Sequence, residues 1–204
     1  MEPQPGYSAL YEEALRLAAR AHRGQMRKTG GVPYVTHPVH VSVILARYGF
    51  SEEVMAAAVL HDVVEDQEVT LDEIEDRFGA RVAEIVDVLT EQKLDEEGKR
   101  RSWEIRKQEA VAHMRHASEE AAAVKMADTI HNARSIICDM RRDGAEIWER
   151  FNRGPAAQIG YYRQVLEAGR EQLPGHPLVD ELADAVAELT AAVDLMTATE
   201  EKRE

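Results

Sequence analysis

Residues 52–68 read EEVMAAAVLHDVVEDQE, an alanine-rich apolar run that leads directly into His61-Asp62 and then Glu65-Asp66. Ala and Leu favour helix, Ser51 stands where an N-cap belongs, and Glu52 and Glu53 suit the positive end of a helix dipole. A helix carried through the stretch puts Glu65 one turn beyond His61 and Asp66 one turn beyond Asp62. One helix end then aims an imidazole and three carboxylates at nearly the same point. Burying four such groups is costly unless a cation compensates them, and a divalent metal is the obvious candidate. A solvated acidic helix end would carry the same His-Asp pair, so the remaining chain has to supply further ligands.

Composition sets the frame. The 204 residues are 44% hydrophobic, enough for one domain around a sizeable core, and with only 5% aromatics and few β-branched runs the expected fold is all-α. Against 38 Asp+Glu stand 25 Lys+Arg, a formal charge of −13, which argues against a nucleic-acid or anionic-membrane surface. No apolar run approaches a membrane span, and the first ten residues, MEPQPGYSAL, lack the basic and apolar regions of a signal peptide. The single Cys138 excludes an intramolecular disulfide and fits a reducing compartment, so the expected location is the cytoplasm.

Along the chain, Ser8 can cap a helix reaching about Arg23. Residues 21–38, AHRGQMRKTGGVPYVTHP, contain Gly24, Gly30, Gly31 and Pro33 and read as loop. From Arg20 to Lys28 the chain has four basic residues, Arg20, Arg23, Arg27 and Lys28, and no acid, a local reversal of charge that suits an anion-binding strip. His37-Pro38 opens a helix that stops at Gly49, with Pro38 at its first position. Thr70-x-x-Glu73 is a capping box for a short helix ending at Gly79, and a helix over 80–90 follows. Residues 91–101, EQKLDEEGKRR, are charged and aperiodic, and are expected to form a mobile connection or lid. Ser102 caps a helix to about His116, and Ser118 caps one to about Met140. Helices over 145–152, 156–171 and 178–198 complete a bundle of about eight to ten. No P-loop, GxGxxG or GxSxG is present.

The helix after Ser118 carries AVKMADTIHNAR, residues 123–134, in which Asp128 sits among apolar residues and Asn132 lies one turn on. An Asp in that setting requires a partner. His37, His61, Asp62 and Asp128 together form an H…HD…D set from three helices. Two imidazoles and two carboxylates suit Mn²⁺, Fe²⁺, Zn²⁺, Co²⁺ or Mg²⁺ and leave positions open for water and substrate.

Four strings, AHRGQMRKTGGVPYVTHPVHV, AAAVLHDVVED, FGARVAEIVDVLT and VKMADTIHNAR, carry a resemblance in order over about residues 18–134. They resemble the HD-type hydrolase domain of the RelA/SpoT alarmone enzymes, and most closely the stand-alone small alarmone hydrolases. The resemblance implies one HD domain over 1–204, with helices 145–198 packed on the motif core. It implies one Mn²⁺ held by His37, His61, Asp62 and Asp128, and hydrolysis of the 3′-pyrophosphate of guanosine tetra- or pentaphosphate to GDP or GTP. Glu65 and Asp66 match the family's catalytic pair. Arg27, Lys28 and Asn132 match nucleotide contacts, as do, through looser alignments, Tyr34, Lys93 and Tyr161. Gln67 stands where the family usually has Thr, Thr129 lacks the usual basic group, and LTEQKL is two residues longer than VTKL. The expected partner is a small nucleotide, with self-association left open. Competing readings are an HD phosphohydrolase of an adenosine alarmone or a 5′-nucleotide, and a nucleotide-binding or antitoxin partner protein.

Overall fold

Five helices begin where the sequence offers a hydroxyl. Ser8, Ser51, Thr70, Ser102 and Ser118 each accept a hydrogen bond from the backbone N–H three residues on, satisfying a donor that the first helical turn leaves free. The computed structural model describes residues 7–200, and the first six residues of the Pro/Gly-containing start lie outside it. The described residues form α1 (Ala9–Ala21), α2 (Thr36–Arg47), α3 (Glu52–Leu60), α4 (Val63–Asp66), α5 (Leu71–Phe78), α6 (Ala80–Leu89), α7 (Trp103–His116) and α8 (Glu119–Asp143). A 3₁₀ helix (Gly144–Arg150), α9 (Pro155–Gln172) and α10 (Pro177–Glu200) follow. No strand occurs among them, only the isolated bridges Met26–Pro33 and Leu94–Arg100. Nor is any described helix long and apolar enough to cross a membrane.

The alanine-rich α3 is the inner helix. From Val54 through Leu60 every residue but Met55 is buried, and α1, α2, α6 and α8 pack around it. A helix apolar on all sides belongs at the centre of a bundle, and its Ala side chains let neighbours approach closely. The long α8 forms the second axis, with α2, α9 and α10 against it. α9 comes so near that a Cβ at Gly169 would lie 2.5 Å from Sδ of the fully buried Met126.

Two local expectations are corrected, and a third segment gains detail. The helix of residues 52–68 is not continuous: α3 ends at Leu60, His61 and Asp62 form a turn, and α4 is a separate single turn. The one-turn spacing survives because the Asp66 N–H still donates to the Asp62 carbonyl at 2.9 Å. Residues 145–152 contain a 3₁₀ helix instead of an α-helix. Residues 91–101 form a hairpin in which Asp95 N–H donates to Lys99 O and Arg101 N–H to Lys93 O, with Gly98 at φ +74°.

The close approach at Gly169 gives an outcome opposite to helix propensity. Gly160, also in α9, has open space at its Cβ position, so Gly160→Ala should stabilise by up to about 1 kcal/mol. Gly169→Ala should instead destabilise by roughly 1 kcal/mol, because overpacking against Met126 outweighs the same gain. Urea unfolding of the two variants checks the pair, and a Gly169→Ala protein as stable as Gly160→Ala contradicts the packing.

Candidate active site

α2, the turn after α3 and α8 bring His37, His61, Asp62 and Asp128 to one point. His61 Nε2 lies 3.0 Å from Asp62 Oδ2 and 4.0 Å from Asp128 Oδ1, while His37 Nε2 lies 3.2 Å from Asp128 Oδ1 and 3.8 Å from Asp62 Oδ2. Both imidazoles are buried. Each is turned by a bond on its far side. His61 Nδ1–H donates to the Ala58 carbonyl at 2.7 Å, and His37 Nδ1 meets His131 Nδ1 at 2.7 Å. Both Nε2 atoms are thereby left facing the two carboxylates, the arrangement by which outer partners orient imidazole ligands.

These donors fit a divalent cation. Donor atoms about 2.0–2.2 Å from a shared ion stand roughly 3 to 4 Å from one another, depending on the angle at the ion, the range of the four separations above. Ligand atoms of His37, His61 and Asp128 lie within 4.8 Å of one another, and Asp62 closes the group through its contacts to both imidazoles. In the protein alone the four groups compensate one another. Burial opposes a charged His61, yet Asp62 outweighs it and pushes the imidazole pKa up to about 9. Burial likewise opposes the Asp128 carboxylate, but Lys125 and His37 hold its pKa well below the usual range.

The proposed catalytic pair lies on α4 at the edge of this cluster. Glu65 is mostly buried, and that burial, with Asp62 and Glu91 nearby, raises its pKa above the ordinary glutamate value. Asp66 is held on both oxygens: Lys93 Nζ donates to Oδ1 at 2.5 Å and Gln25 Nε2 to Oδ2 at 3.0 Å. Gln25 is itself fixed, its Oε1 meeting His22 Nδ1 at 2.7 Å and accepting from Gln67 Nε2 at 2.6 Å. Gln67, a departure from the family pattern, thus has a structural task beside the site.

Arg27 and Lys28 line the same cavity, of about 510 Å³. Arg27 Nη2 donates to Asn132 Oδ1 at 2.9 Å, and Asn132 Nδ2 donates to Asp128 Oδ1 at 2.5 Å, so Asn132 links the basic strip to the donor cluster. Tyr34 reaches the cluster directly, donating its hydroxyl to Asp62 Oδ2 at 2.5 Å, with the Arg27 guanidinium over its ring. Lys93 lines the cavity too. Tyr161 is not brought in with them: it is buried beneath Lys107 and Lys125, and its neighbour Tyr162 lines the cavity.

Sequence reasoning passed over the opposite wall. Arg106 and Lys107 of α7 face the cavity and pair with Glu91 at 2.9 and 2.5 Å. Lys125 also lines it, 3.3 Å from Asp128. With Arg27, Lys28 and Lys93 these make a cationic chamber in an acidic protein. The crowding is felt at Lys28, whose pKa is lowered by burial and by Lys107. The RK pair at 106–107 and the Lys of VKMAD were the available signals, but neither distinguishes a cavity wall from a solvated helix face.

The fold and the site define a class: an all-α protein with a largely buried two-His, two-Asp cluster at the floor of a cationic cavity. The chain belongs to the HD-domain family, whose profile matches residues 14–154. It is 38% identical over 144 residues to the guanosine-3′,5′-bis(diphosphate) 3′-pyrophosphohydrolase MESH1 of Danio rerio, covering 69% of this chain and 74% of that protein. The Homo sapiens protein of that name is 39% identical over 139 residues, 67% of this chain and 72% of its own. A solved structure, described as a metazoan ortholog of SpoT that hydrolyzes ppGpp and plays a role in starvation responses, superposes with a TM-score of 0.72. It is 27% identical and covers 91% of this chain and 98% of its own.

Glu91 generates a pH-dependent prediction. Burial alone would raise its carboxyl pKa, but Lys107, Lys125 and Arg106 outweigh burial and lower it. A depressed carboxyl stabilises the fold above its unfolded pKa of about 4.3, and that contribution is lost as pH falls through the folded value. Glu91→Gln should cost about 3 kcal/mol at pH 7, because it leaves two partly buried cations uncompensated. The difference from wild type should narrow below about pH 4. Denaturant melts across pH measure this, and a pH-independent difference contradicts the ion-pair account.

Proposed function

We propose that this chain is a metal-dependent pyrophosphohydrolase that removes the 3′-diphosphate of guanosine 3′,5′-bis(diphosphate), ppGpp, and of its pentaphosphate counterpart. The products are GDP or GTP and pyrophosphate. The observation that carries the reading is the joining of the His/Asp cluster, an adjacent Glu65-Asp66 pair and a wall of cations in one cavity of an acidic protein. The similarity to the pyrophosphohydrolases described above points the same way. We take residues 1–204 as one catalytic unit working in the cytoplasm, with Mn²⁺ as the ion, since two imidazoles and two carboxylates suit a borderline-hard cation.

His37, His61, Asp62 and Asp128 would hold that ion, which when bound acts as a Lewis acid and lowers the pKa of water. Lys125 keeps the Asp128 carboxylate ionised and Asn132 orients it, while His61 keeps Asp62 ionised and Tyr34 orients it. Glu65 accepts the proton of the attacking water, its raised pKa bringing it nearer the working pH of a general base. Water adds to the phosphorus attached to the ribose 3′-oxygen, the bond from that oxygen to phosphorus breaks, and the 3′-hydroxyl recovers a proton. Arg27 and Lys28 hold phosphate charge on one side of the cavity, and Arg106 and Lys107 on the other.

Incubation of the Mn²⁺-loaded protein with a nucleotide panel tests substrate choice. Pyrophosphate should be released from ppGpp, with GTP and ATP poor substrates, and faster cleavage of the 5′-nucleotides would replace this reading by that of a general nucleotide phosphohydrolase. Glu65→Gln should keep most metal and nucleotide affinity and lose roughly 10²-fold or more in kcat, the scale of general-base catalysis. Loss of the metal in that variant would make Glu65 a ligand instead.

A further inference from the structure

The RKTGG loop, residues 27–31, carries the strip that the proposed function assigns to phosphate, and its own anchor lies on α8. Thr29 is 6% exposed, and its hydroxyl donates to Asp139 Oδ2. Asp139 is 9% exposed, and its other oxygen accepts Arg142 Nη2 at 2.8 Å. The next loop residue, Gly30, sits at φ +81°, where a Cβ would lie 3.4 Å from that same Asp139 oxygen. A hydroxyl and a glycine in succession therefore close the loop onto one carboxylate. A side chain at Gly30 would meet both a disfavoured backbone conformation and this contact.

The place of Asp139 on its helix gives the contact its meaning. It follows Asp128 by eleven residues, about three turns, so it shares a face of α8 with Asp128, Asn132 and Ser135. One end of that polar stripe enters the donor cluster, and the other holds the loop about 16 Å further along at 1.5 Å per residue. α8 is thus the ruler between the site of bond breaking and the cations that grip the nucleotide. Burial makes the contact costly to leave unmade, since a buried carboxylate or hydroxyl that loses its partner retains the desolvation penalty.

We infer that Asp139 is a positioning residue for substrate binding: through Thr29 it fixes the loop that presents Arg27 and Lys28 to the nucleotide. This rests on the reading that those two side chains hold substrate phosphates. Asp139 lies outside the cavity wall, so it acts through the loop, whereas Thr29 also borders the cavity.

The test uses Thr29→Val, which keeps the shape and removes the hydroxyl, together with Asp139→Ala, the double variant and Thr29→Ser. Thr29→Val and Asp139→Ala should each raise KM for ppGpp roughly tenfold with kcat within about twofold, because what is lost is placement of a binding group. The double variant should be no worse than either single one, and Thr29→Ser, which restores a donor, should keep the wild-type KM. Hydrogen exchange should quicken at the Arg27 and Tyr34 amides, which bond to Val32 O and Gln25 O, while that of α3 stays unchanged. A wild-type KM in Thr29→Val overturns the inference. So does an additive double variant, or a raised KM with unchanged loop exchange, either of which makes Thr29 a direct substrate contact. If the wild-type protein leaves ppGpp intact, the proposed function fails, and the loop exchange in the two single variants still decides whether Asp139 holds the loop. Should Asp139→Ala fail to fold, Asp139→Leu takes its place: it fills the space without an acceptor for the Thr29 hydroxyl, and the same rise in KM is expected.

Discussion

Two imidazoles and two carboxylates within hydrogen-bonding range, at the end of a helix buried on every side, are the constraint on which the structure depends. Such a set is unfavourable in an apolar core unless each charge finds an opposite one. The surrounding elements answer that requirement. α3 is rich in alanine, so neighbouring helices can approach closely enough to deliver His37 and Asp128. Ala58 O and His131 turn the two rings inward, and Lys125 and Tyr34 each engage one carboxylate. What remains at the centre is a set of donors suited to a cation.

Around that floor the charge distribution reverses the protein's own. A chain of formal charge −13 repels anions over most of its surface, yet the cavity wall gathers cations from the first loop, the 91–101 hairpin, α7 and α8. Some of these cations are already balanced: Glu91 compensates Arg106 and Lys107, and Asp66 compensates Lys93. The balance lets the chamber exist without substrate, while leaving Arg27 and Lys28 available to a polyanion. Focusing of this kind draws a multiply charged nucleotide to one mouth.

Much of this was legible in the residues, for reasons that also mark where reading stops. Hydroxyl caps at Ser8, Ser51, Thr70, Ser102 and Ser118 are local signals, and the structure begins its helices there. The His, His-Asp and Asp positions could be grouped because each sits at a helix end or interrupts an apolar face. The break between α3 and α4 could not be read, since Ala, Leu and Val favour continuation and the turn is held by His61 to Ala58 and by Tyr34 to Asp62. Residues 91–101 read as solvated and most of them are exposed, but the burial of the Glu91 side chain could not be read, because it depends on cations more than ten residues away. Of the two adjacent tyrosines in GYYRQ, Tyr162 lines the cavity and Tyr161 does not, since neighbouring residues on a helix point about 100° apart.

The central claim is that the four-residue cluster is built for a cation, and calorimetric titration of metal-stripped protein with Mn²⁺ tests it most directly. The account predicts one ion bound per wild-type chain, and none by an Asp128→Ala protein whose helical content is unchanged. A wild-type protein that binds no divalent ion, or an Asp128→Ala protein that binds one as tightly as wild type, would contradict it.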